Sequence, residues 1–428
     1  MPATKIPPNA EELLNRLQPP QRRVLEVVRK LAARPPARVY LVGGPVRDLL
    51  MDQPAHDLDF VVEGDGPAFA ARLARQLQGS LQVFERFGTA VVGVRGVGHV
   101  DVASARSEEY PEPGALPNVA VPAPLEQDLR RRDFTINALA IGVGPQEWGR
   151  LYDPLGGQRD LRARRLRIVH ARSFRDDPNR LIRAAGFAGR FGLALEPRTE
   201  RRLREAVAAG VLRTISADRR NETLRRLLRQ PGAPLALALL SEWGLLEPLG
   251  LGRPLKSTDH RRLSRVPAAL AALAAPTEGP EAMAAYVALL LSRRGVDAET
   301  GAQELGLSRR ARRETLQAVV VLRQPPAVLR ETQARPARLF VELRGLGVGT
   351  LAALWTIVDA TARRRLEDYW QRLRHVQPDL TGEDLARAGL RGAEIAAGLE
   401  RARVLKLDHP EATQEAQLAT ALADQKST

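Results

Sequence analysis

Residues 39–50 read VYLVGGPVRDLL, and residues 56–62 read HDLDFVV. The apolar run 39–42 predicts a short buried strand, which the two glycines end. Proline is favoured in the first turn of a helix, so residues 45–50 are predicted to be helical. The apolar residues of 58–62 predict a second strand. This part of the chain is therefore expected to form a strand, a glycine turn, a helix and a strand.

The same stretch carries candidate chemistry. At Gly43 and Gly44 a bound group can approach the backbone closely, and Arg47 with free backbone N–H groups would make a phosphate-binding site. Asp57 and Asp59 are two residues apart, so on a strand they face the same side. Paired carboxylates beside a phosphate-binding site suit Mg²⁺ and a nucleoside triphosphate. A glycine pair alone is usually just a turn, and two aspartates at this spacing often occur by chance on a surface strand. The combination of these features is much rarer.

Composition narrows the class of protein. The 428 residues are 44% hydrophobic and 27% charged, which is ordinary for a globular chain of more than one domain. The absence of cysteine excludes disulfides, thiolate zinc sites and cysteine nucleophiles. The net charge of +15 favours a polyanionic partner such as nucleic acid, although a genomic base bias would also enrich arginine. The polar start of the chain and the lack of a membrane-length apolar run lead us to expect a cytoplasmic protein.

The rest of the first half continues the sheet. Two short helices are predicted within 11–33, and another over 66–78. Strands are predicted within 83–102, and Asp101 on the last of them is either a third carboxylate beside the pair or a solvated strand-end residue. Residues 105–121 are rich in proline and polar side chains, and predict a structureless loop that is either a lid or a plain surface loop.

Two arginine-containing segments follow. Residues 128–140 read DLRRRDFTINALA, so at least one guanidinium is expected to be held rigidly beside a buried segment.

From residue 173 onward the pattern is helical, with no convincing strand. Asp177 is predicted to cap a helix that carries Arg180 and Arg183 on one face. Asp177 and Arg180 are either an acceptor–donor pair that reads cytosine or adenine, or a capping residue with a surface arginine.

These motifs resemble one family. GGPVRD at 43–48, DLD at 57–59, RRDFTINA at 131–138, DPNR at 177–180 and ISADR with Glu222 at 215–222 occur in the order and rough spacing of bacterial class II tRNA nucleotidyltransferases and poly(A) polymerases. The resemblance covers about residues 38–230, and beyond that it is one of helical pattern only.

The resemblance implies an α+β nucleotidyltransferase head of the DNA polymerase beta superfamily, with a mixed sheet and helices, followed by an all-α half. On this basis we predict a helical extension over 1–34, the head over 35–170, a base-selecting neck over 171–230, a body over 231–330 and a tRNA-binding tail over 331–428. No further recognition domain is expected before the head.

The resemblance also implies roles for particular residues. Asp57 and Asp59 would be catalytic and would bind Mg²⁺, with Asp101 as the undecided third carboxylate. Nucleotide-binding roles would fall on Gly43, Gly44, Arg47, Arg132, Asp133, Asn137, Asp177, Arg180 and Arg183. ATP or CTP and the 3′ end of tRNA would be the substrates, and pyrophosphate would be released.

Some features depart from the family. Asp176 stands where a glutamate is common, and Gly186 stands where an arginine is usual, so one phosphate or base contact is in doubt. Segments 110–117 and 170–180 are most similar to the A-adding branch, which we favour over CC-adding, full CCA-adding and poly(A) activities. A small-molecule nucleotidyltransferase would not need the basic helical half, and a non-catalytic RNA-binding protein would not need the paired aspartates.

Overall fold

The computed structural model describes residues 10–33, 37–293 and 295–423, so the polar segment 1–9 lies outside the described residues. The chain forms two compact units, residues 1–223 and 224–428. No single helix in the described part is long and apolar enough to cross a membrane, although one sharply bent pair, Pro336–Leu343 with Val348–Ile357, meets the requirement when its two helices are counted together.

The first unit contains a seven-stranded mixed sheet. The strands of the unit are β1 (Val39–Val42), β2 (Leu58–Val62), β3 (Ser80–Phe84), β4 (Thr89–Val94), β5 (Gly98–Ser104), β6 (Ser107–Glu109), β7 (Asn118–Ala120), β8 (Ala140–Gly142), β9 (Leu151–Tyr152), β10 (Arg165–Leu166) and β11 (Ala194–Leu195). The spatial order in the sheet is β3-β4-β5-β2-β1-β8-β9, in which β2 and β5 are parallel and the other neighbours are antiparallel.

The helices of this unit confirm most of the predicted elements. The helix after the glycine turn begins one residue earlier than predicted, at Gly44. The helices are α1 (Glu11–Leu14), α2 (Pro19–Ala33), α3 (Gly44–Leu50), α4 (Gly66–Leu77), α5 (Leu125–Arg130), α6 (Gly157–Arg162), α7 (Ser173–Asp176), α8 (Asn179–Phe191), α9 (Pro197–Ala208) and α10 (Ala217–Leu228), the last of which contains the boundary between the units.

The two faces of the sheet have different surroundings. Leu58, Phe60 and Val62 point into a core that also contains buried residues of α1, α2 and α4. Val61 lies in a second, smaller core, which includes Leu125 and Leu129 of α5. Because side chains alternate along a strand, Asp59 shares the face of Val61 and points away from the helix-packed core. This alternation places a carboxylate on the more open face.

Two predictions were wrong in detail. Within 105–121, where we expected a structureless loop, β6 and β7 form a hairpin in which Glu108 pairs with Val119. These strands are only three residues long and lack an apolar alternation, so periodicity could not show them. After residue 173, where we expected no strand, β11 pairs in parallel with β10. Two-residue strands are too short to leave any sequence pattern.

The second unit is helical throughout its described residues, as predicted. The carboxylate of Asp297 and the hydroxyls of Ser308 and Thr413 cap three of its helices. The helices are α11 (Ala233–Glu242), α12 (Ser257–Ser264), α13 (Val266–Ala272), α14 (Pro280–Leu291), α15 (Ala298–Glu304), α16 (Arg309–Arg323), α17 (Pro336–Leu343), α18 (Val348–Ile357), α19 (Ala360–Gln371), α20 (Gly382–Arg387), α21 (Ala393–Asp408) and α22 (Gln414–Leu422). The boundaries that we gave for extension, neck, body and tail stay predictions.

Candidate active site

The first unit contains an open cavity of about 590 Å³ at the edge where the glycine turn follows β1. Ten of the twelve predicted site residues line it, whereas Asp57 and Asp101 do not. The lining residues from the predicted set are Gly43, Gly44, Arg47, Asp59, Arg132, Asp133, Asn137, Asp177, Arg180 and Arg183. The fold thus brings together segments that are more than 130 residues apart in the chain.

Three carboxylates lie on or next to the paired strands β2 and β5, and only that of Asp59 lines the cavity. Asp59 and Asp101 are register partners on the parallel strands β2 and β5. Asp57 is exposed and lies immediately before β2. Burial, with the charges of Asp101 and then Asp57, raises the pKa of Asp59 to about 7 despite the opposing charges of Arg132 and Arg47. Burial and the charge of Asp57 likewise raise the pKa of Asp101, although His99 opposes this shift.

The donor chemistry of these carboxylates fits a divalent cation. Carboxylate oxygens are the ligands that hard cations prefer, and a cation would relieve the mutual repulsion. Across residues 10–33, 37–293 and 295–423, however, no three His, Cys, Asp or Glu side chains converge as a ready-made metal group. The fit therefore rests on the aspartate pair, and Asp101 stays a predicted third ligand.

The glycine turn lies directly against an arginine. Gly43 has φ +73°, and a Cβ there would lie 2.7 Å from Nη1 of Arg132. A side chain at this position would require that guanidinium to shift, and glycine also adopts this backbone conformation easily. The position of the arginine therefore depends on the glycine.

Arg47 is buried, and its donors already have partners. Its Nε donates to Oδ1 of Asp48 at 2.8 Å, and its Nη1 donates to Oδ1 of Asn137 at 2.5 Å. Its guanidinium also lies over the rings of Phe187 and Phe191. Arg47 thus holds the base of the cavity together, and any contact with a phosphate would add to these bonds.

Asp128 fixes the two neighbouring arginines and was missed by the sequence analysis. Its carboxylate is fully buried and accepts from Nη2 of Arg131 at 2.7 Å and from Nη2 of Arg132 at 2.9 Å. Burial alone would raise the pKa of Asp128, but the two arginines lower it. The sequence did contain a signal for this role. Asp128 lies three residues before Arg131 and four before Arg132, and on a helix this spacing puts all three side chains on one face.

Asp133 anchors Arg183. Nε of Arg183 donates to Oδ2 of Asp133 at 2.7 Å, and Nδ2 of Asn137 donates to Oδ1 at 3.0 Å. Burial opposes ionisation of Asp133, yet the charge of Arg183 and the hydrogen bond from Asn137 lower its pKa to about 2. Asp133 is therefore ionised, and its carboxylate holds Arg183 and Asn137 in position.

The predicted base-reading pair comes together. Nε of Arg180 lies 3.9 Å from Oδ2 of Asp177, and Oδ1 of Asp177 accepts from the N–H of Asn179 at 3.3 Å. Arg180 is 4% exposed, and donates to Oγ of Ser173 at 2.6 Å and to the carbonyl of Arg131 at 2.8 Å. Its guanidinium is therefore held in one orientation. The N-cap position of α8 is taken by Pro178 and not by Asp177 as predicted, but Asp177 accepts from the first N–H of the helix and lines the cavity.

The hairpin also lines the cavity, which the sequence analysis did not resolve. Glu108 bridges Arg106 and Arg131 at 3.0 Å each, and the hydroxyl of Tyr110 donates to Glu108 at 3.0 Å. The carbonyl of Gly114 accepts from Nη1 of Arg219 at 2.7 Å. The hairpin is thus tied to both the arginine run and the start of α10.

The sheet and the cavity of the first unit are together those of a nucleotidyltransferase head domain. The family model described as the poly(A) polymerase head domain matches residues 39–167. The match covers the sheet and the glycine turn of the first unit, so it shows a head domain of this type in the first unit. Members of this family generally use a divalent metal ion.

Two similar relatives are named A-adding tRNA nucleotidyltransferases. That of Aquifex aeolicus is 42% identical over 210 residues, which are 49% of this chain and 25% of the relative. That of Geobacter sulfurreducens is 32% identical over 398 residues, which are 90% of this chain and 45% of the relative. The chain thus spans half the length of these relatives or less. Other matches are named CC-adding and CCA-adding enzymes.

A solved structure matches along the whole chain. The Thermotoga maritima CCA-adding enzyme complexed with tRNA is 25% identical, with a TM-score of 0.73 over 99% of this chain and 100% of that one. The similarity therefore extends over both units and not only over the head.

Proposed function

We propose that the protein adds nucleotides of the 3′-terminal CCA to tRNA without a template, and that its reaction is addition of the terminal AMP from ATP. One observation carries this proposal. A single cavity contains the glycine turn, the carboxylate of Asp59 and the Asp177–Arg180 pair. Candidate residues for binding the phosphates, for the transfer at phosphorus and for selecting the base thus line the same cavity.

Base selection follows from the chemistry of the pair. Asp177 accepts a hydrogen bond from the exocyclic amino group of adenine or cytosine, and Arg180 donates to the adjacent ring nitrogen. Uracil and guanine present a carbonyl where the amino group would be, which the carboxylate repels. Because Arg180 is held by Ser173 and Arg131, the pair can reject these bases without reorganising.

In the proposed reaction the 3′ oxygen of the RNA attacks the α-phosphorus. The bond from that phosphorus to the bridging oxygen breaks, pyrophosphate leaves, and the proton of the hydroxyl passes to solvent. Gly43 and Gly44 would admit the triphosphate to the backbone, while Arg132, fixed by Asp128, would neutralise its charge. Arg47 and Asn137 would keep this wall of the cavity in place.

Asp57 and Asp59, with Asp101 as a further candidate, would hold Mg²⁺. The ion would supply Lewis acidity at the α-phosphate and lower the pKa of the attacking hydroxyl. Two carboxylates plus substrate phosphates are a donor set of the type that this ion uses.

The proposed partners are tRNA and ATP, with CTP as an alternative nucleotide. The Thermotoga enzyme was solved with tRNA, and the first relatives are A-adding enzymes. Because relatives named CC-adding and CCA-adding also match, the choice of AMP is the part that needs testing most. A tRNA substrate is consistent with the proposed cytoplasmic location.

The test uses purified protein, Mg²⁺ and two transcripts, one lacking CCA and one ending in CC. Each receives ATP alone, CTP alone or both, and product lengths are measured. We expect one A on the CC-ended tRNA and no extension of the shorter one. Two C residues on the shorter tRNA, all three nucleotides, or long A tails would overturn AMP specificity in favour of CC-adding, CCA-adding or poly(A) activity. No extension of either RNA would overturn the proposal as a whole.

A pair of variants tests the proposed carboxylates. Asp59→Asn should reduce nucleotide addition by at least about 100-fold, since metal-assisted stabilisation is worth several kcal/mol. Binding of tRNA should persist. The control is Glu26→Gln, an exposed acid on α2, which should leave activity unchanged. Full activity of Asp59→Asn would exclude this residue from the reaction.

A further inference from the structure

A second cavity of about 600 Å³ lies in the first unit, outside the nucleotide site. One wall is the segment 167–171, which follows β10, and the other is the beginning of α9. Arg167, Arg198, Arg201 and Arg202 line it, and Glu196 is its one acidic residue. We call this cavity the arginine groove.

The walls of the groove are fixed to each other. The N–H of Ile168 donates to Oγ1 of Thr199 at 3.2 Å, and the N–H of Glu196 donates to the carbonyl of Leu166 at 3.0 Å. Thr199 is fully buried. The arginines are therefore presented from a rigid frame, so a ligand would not have to order the backbone on binding.

The acidic side chain of the groove and two of its arginines already have partners. The carboxylate of Glu196 accepts from the N–H of Thr199 at 2.9 Å, which caps α9. Arg167 pairs with Asp160 at 2.7 Å and Arg202 with Glu205 at 2.7 Å.

Two of the arginines remain for a ligand. Arg198 and Arg201 are exposed, and neither forms an ion pair or side-chain hydrogen bond within the described residues. They are three residues apart on one helix, so their side chains lie on the same face, about 5–6 Å apart at Cβ. The groove therefore offers two positive charges, on a helix whose backbone is held in place, to a ligand.

One histidine connects the groove to the nucleotide site. His170 lines the groove, and its Nε2 lies 3.5 Å from Nη1 of Arg180, which lines the nucleotide cavity. The two cavities thus adjoin at the contact between these two side chains. An RNA strand whose 3′ end lies in the nucleotide site would therefore have the groove next to it.

We propose that the arginine groove binds the phosphodiester backbone of the RNA whose 3′ end enters the nucleotide site. The proposal rests on the proposed function and names a contact surface for that substrate. Arginine is well suited to phosphate, and backbone contacts position a nucleic acid without reading its sequence. The groove is lined mainly by arginines and backbone, which suits phosphate binding more than base recognition.

The test is a salt titration of tRNA binding without nucleotide, comparing the wild type with the double variant R198A/R201A. We expect about 10-fold weaker binding at roughly 0.15 M salt, and a slope of log K against log salt that is smaller in magnitude by about 1–2. R198K/R201K should retain most of the affinity, because the charges remain. ATP binding by the free protein should not change.

The matched control is Arg204→Ala. Arg204 lies on the same helix and is exposed, but it pairs with Glu200 and does not line the groove. Its loss should leave both affinity and slope unchanged. If R198A/R201A binds tRNA as the wild type does, the groove proposal is overturned and the proposed function stands. Loss of ATP binding in the double variant would overturn it in favour of a nucleotide subsite. A wild type that binds no tRNA would overturn both proposals.

Discussion

Nη2 of Arg219 lies 3.3 Å from Oδ1 of Asp177, although the two residues are 42 positions apart. The same guanidinium donates from Nη1 to the carbonyl of Gly114 in the hairpin. Arg219 therefore connects three segments of the first unit, and it donates to the same carboxylate oxygen of Asp177 as the first N–H of α8 does. Asp177 is oriented by this contact as well as by the N–H of Asn179.

We predict that Arg219→Ala weakens base discrimination. Without this partner Asp177 can turn away from the base, so kcat/KM for ATP should fall by about 10-fold, which corresponds to about 1.4 kcal/mol. The rate with GTP should fall less, so the ratio of ATP to GTP incorporation should narrow. Arg219→Lys should recover part of the ratio. An unchanged ratio with a lower overall rate would show that Arg219 acts only on stability.

A second prediction concerns the buried carboxylate of α5. Asp128→Ala leaves Arg131 and Arg132 without their shared partner, so the free energy of unfolding of the first unit should fall by about 3–5 kcal/mol. Urea denaturation measures this, and ATP binding should weaken as Arg132 loses its orientation. The control is Glu126→Ala on the same helix, whose pair with Arg130 is exposed. It should change stability by less than about 1 kcal/mol. Equal effects of the two variants would contradict the prediction.

The glycine turn allows a closely matched comparison. Gly43 and Gly392 both precede a helix with similar backbone angles, φ 73° and ψ −123° against φ 52° and ψ −121°. A Cβ at Gly43 would meet Arg132 at 2.7 Å, whereas a Cβ at Gly392 would meet nothing within 4 Å.

Both Gly43→Ala and Gly392→Ala should therefore lose about 1–3 kcal/mol of stability from backbone strain. Only Gly43→Ala should also weaken ATP binding, by about 10-fold or more, because it displaces Arg132. Calorimetric titration with ATP and urea denaturation separate the two effects. Unchanged ATP affinity in Gly43→Ala would show that Arg132 does not contact the nucleotide.

The low pKa of Asp133 predicts an acid-dependent contribution to stability. A carboxyl group has a pKa near 3.9 when unfolded, and Arg183 and Asn137 lower that of Asp133 to about 2 in the folded protein. A lowered pKa stabilises the fold above the unfolded value, and this contribution disappears as the pH falls through about 4 to 2. Its size near neutral pH is of the order of 2 kcal/mol.

Asp133→Asn should lack this contribution. Urea denaturation of the wild type and the variant at several pH values should therefore show a stability difference that is largest near pH 6 and shrinks towards pH 2. A difference that stays constant over this range would mean that the effect of Asp133 is one of packing and not of ionisation.

Local patterns were sufficient for much of the fold. The apolar run of β1, the two glycines and the proline of α3 each restrict the backbone within a few residues, so β1 and β2 were predicted with their observed bounds. Periodicity failed at β6, β7 and β11 because two- or three-residue strands are stabilised by their partners and not by an apolar pattern of their own.

The sequence by itself predicted the head domain, the fold class and which residue types the site needs, because glycine turns, caps and paired carboxylates act over short distances. Only the tertiary structure decided which groups meet. The register of β2 against β5 places Asp101 beside Asp59, and burial in α5 makes Asp128 the anchor of Arg131 and Arg132. Such contacts depend on strand order and on which side chains are removed from water, and neither is encoded in local spacing.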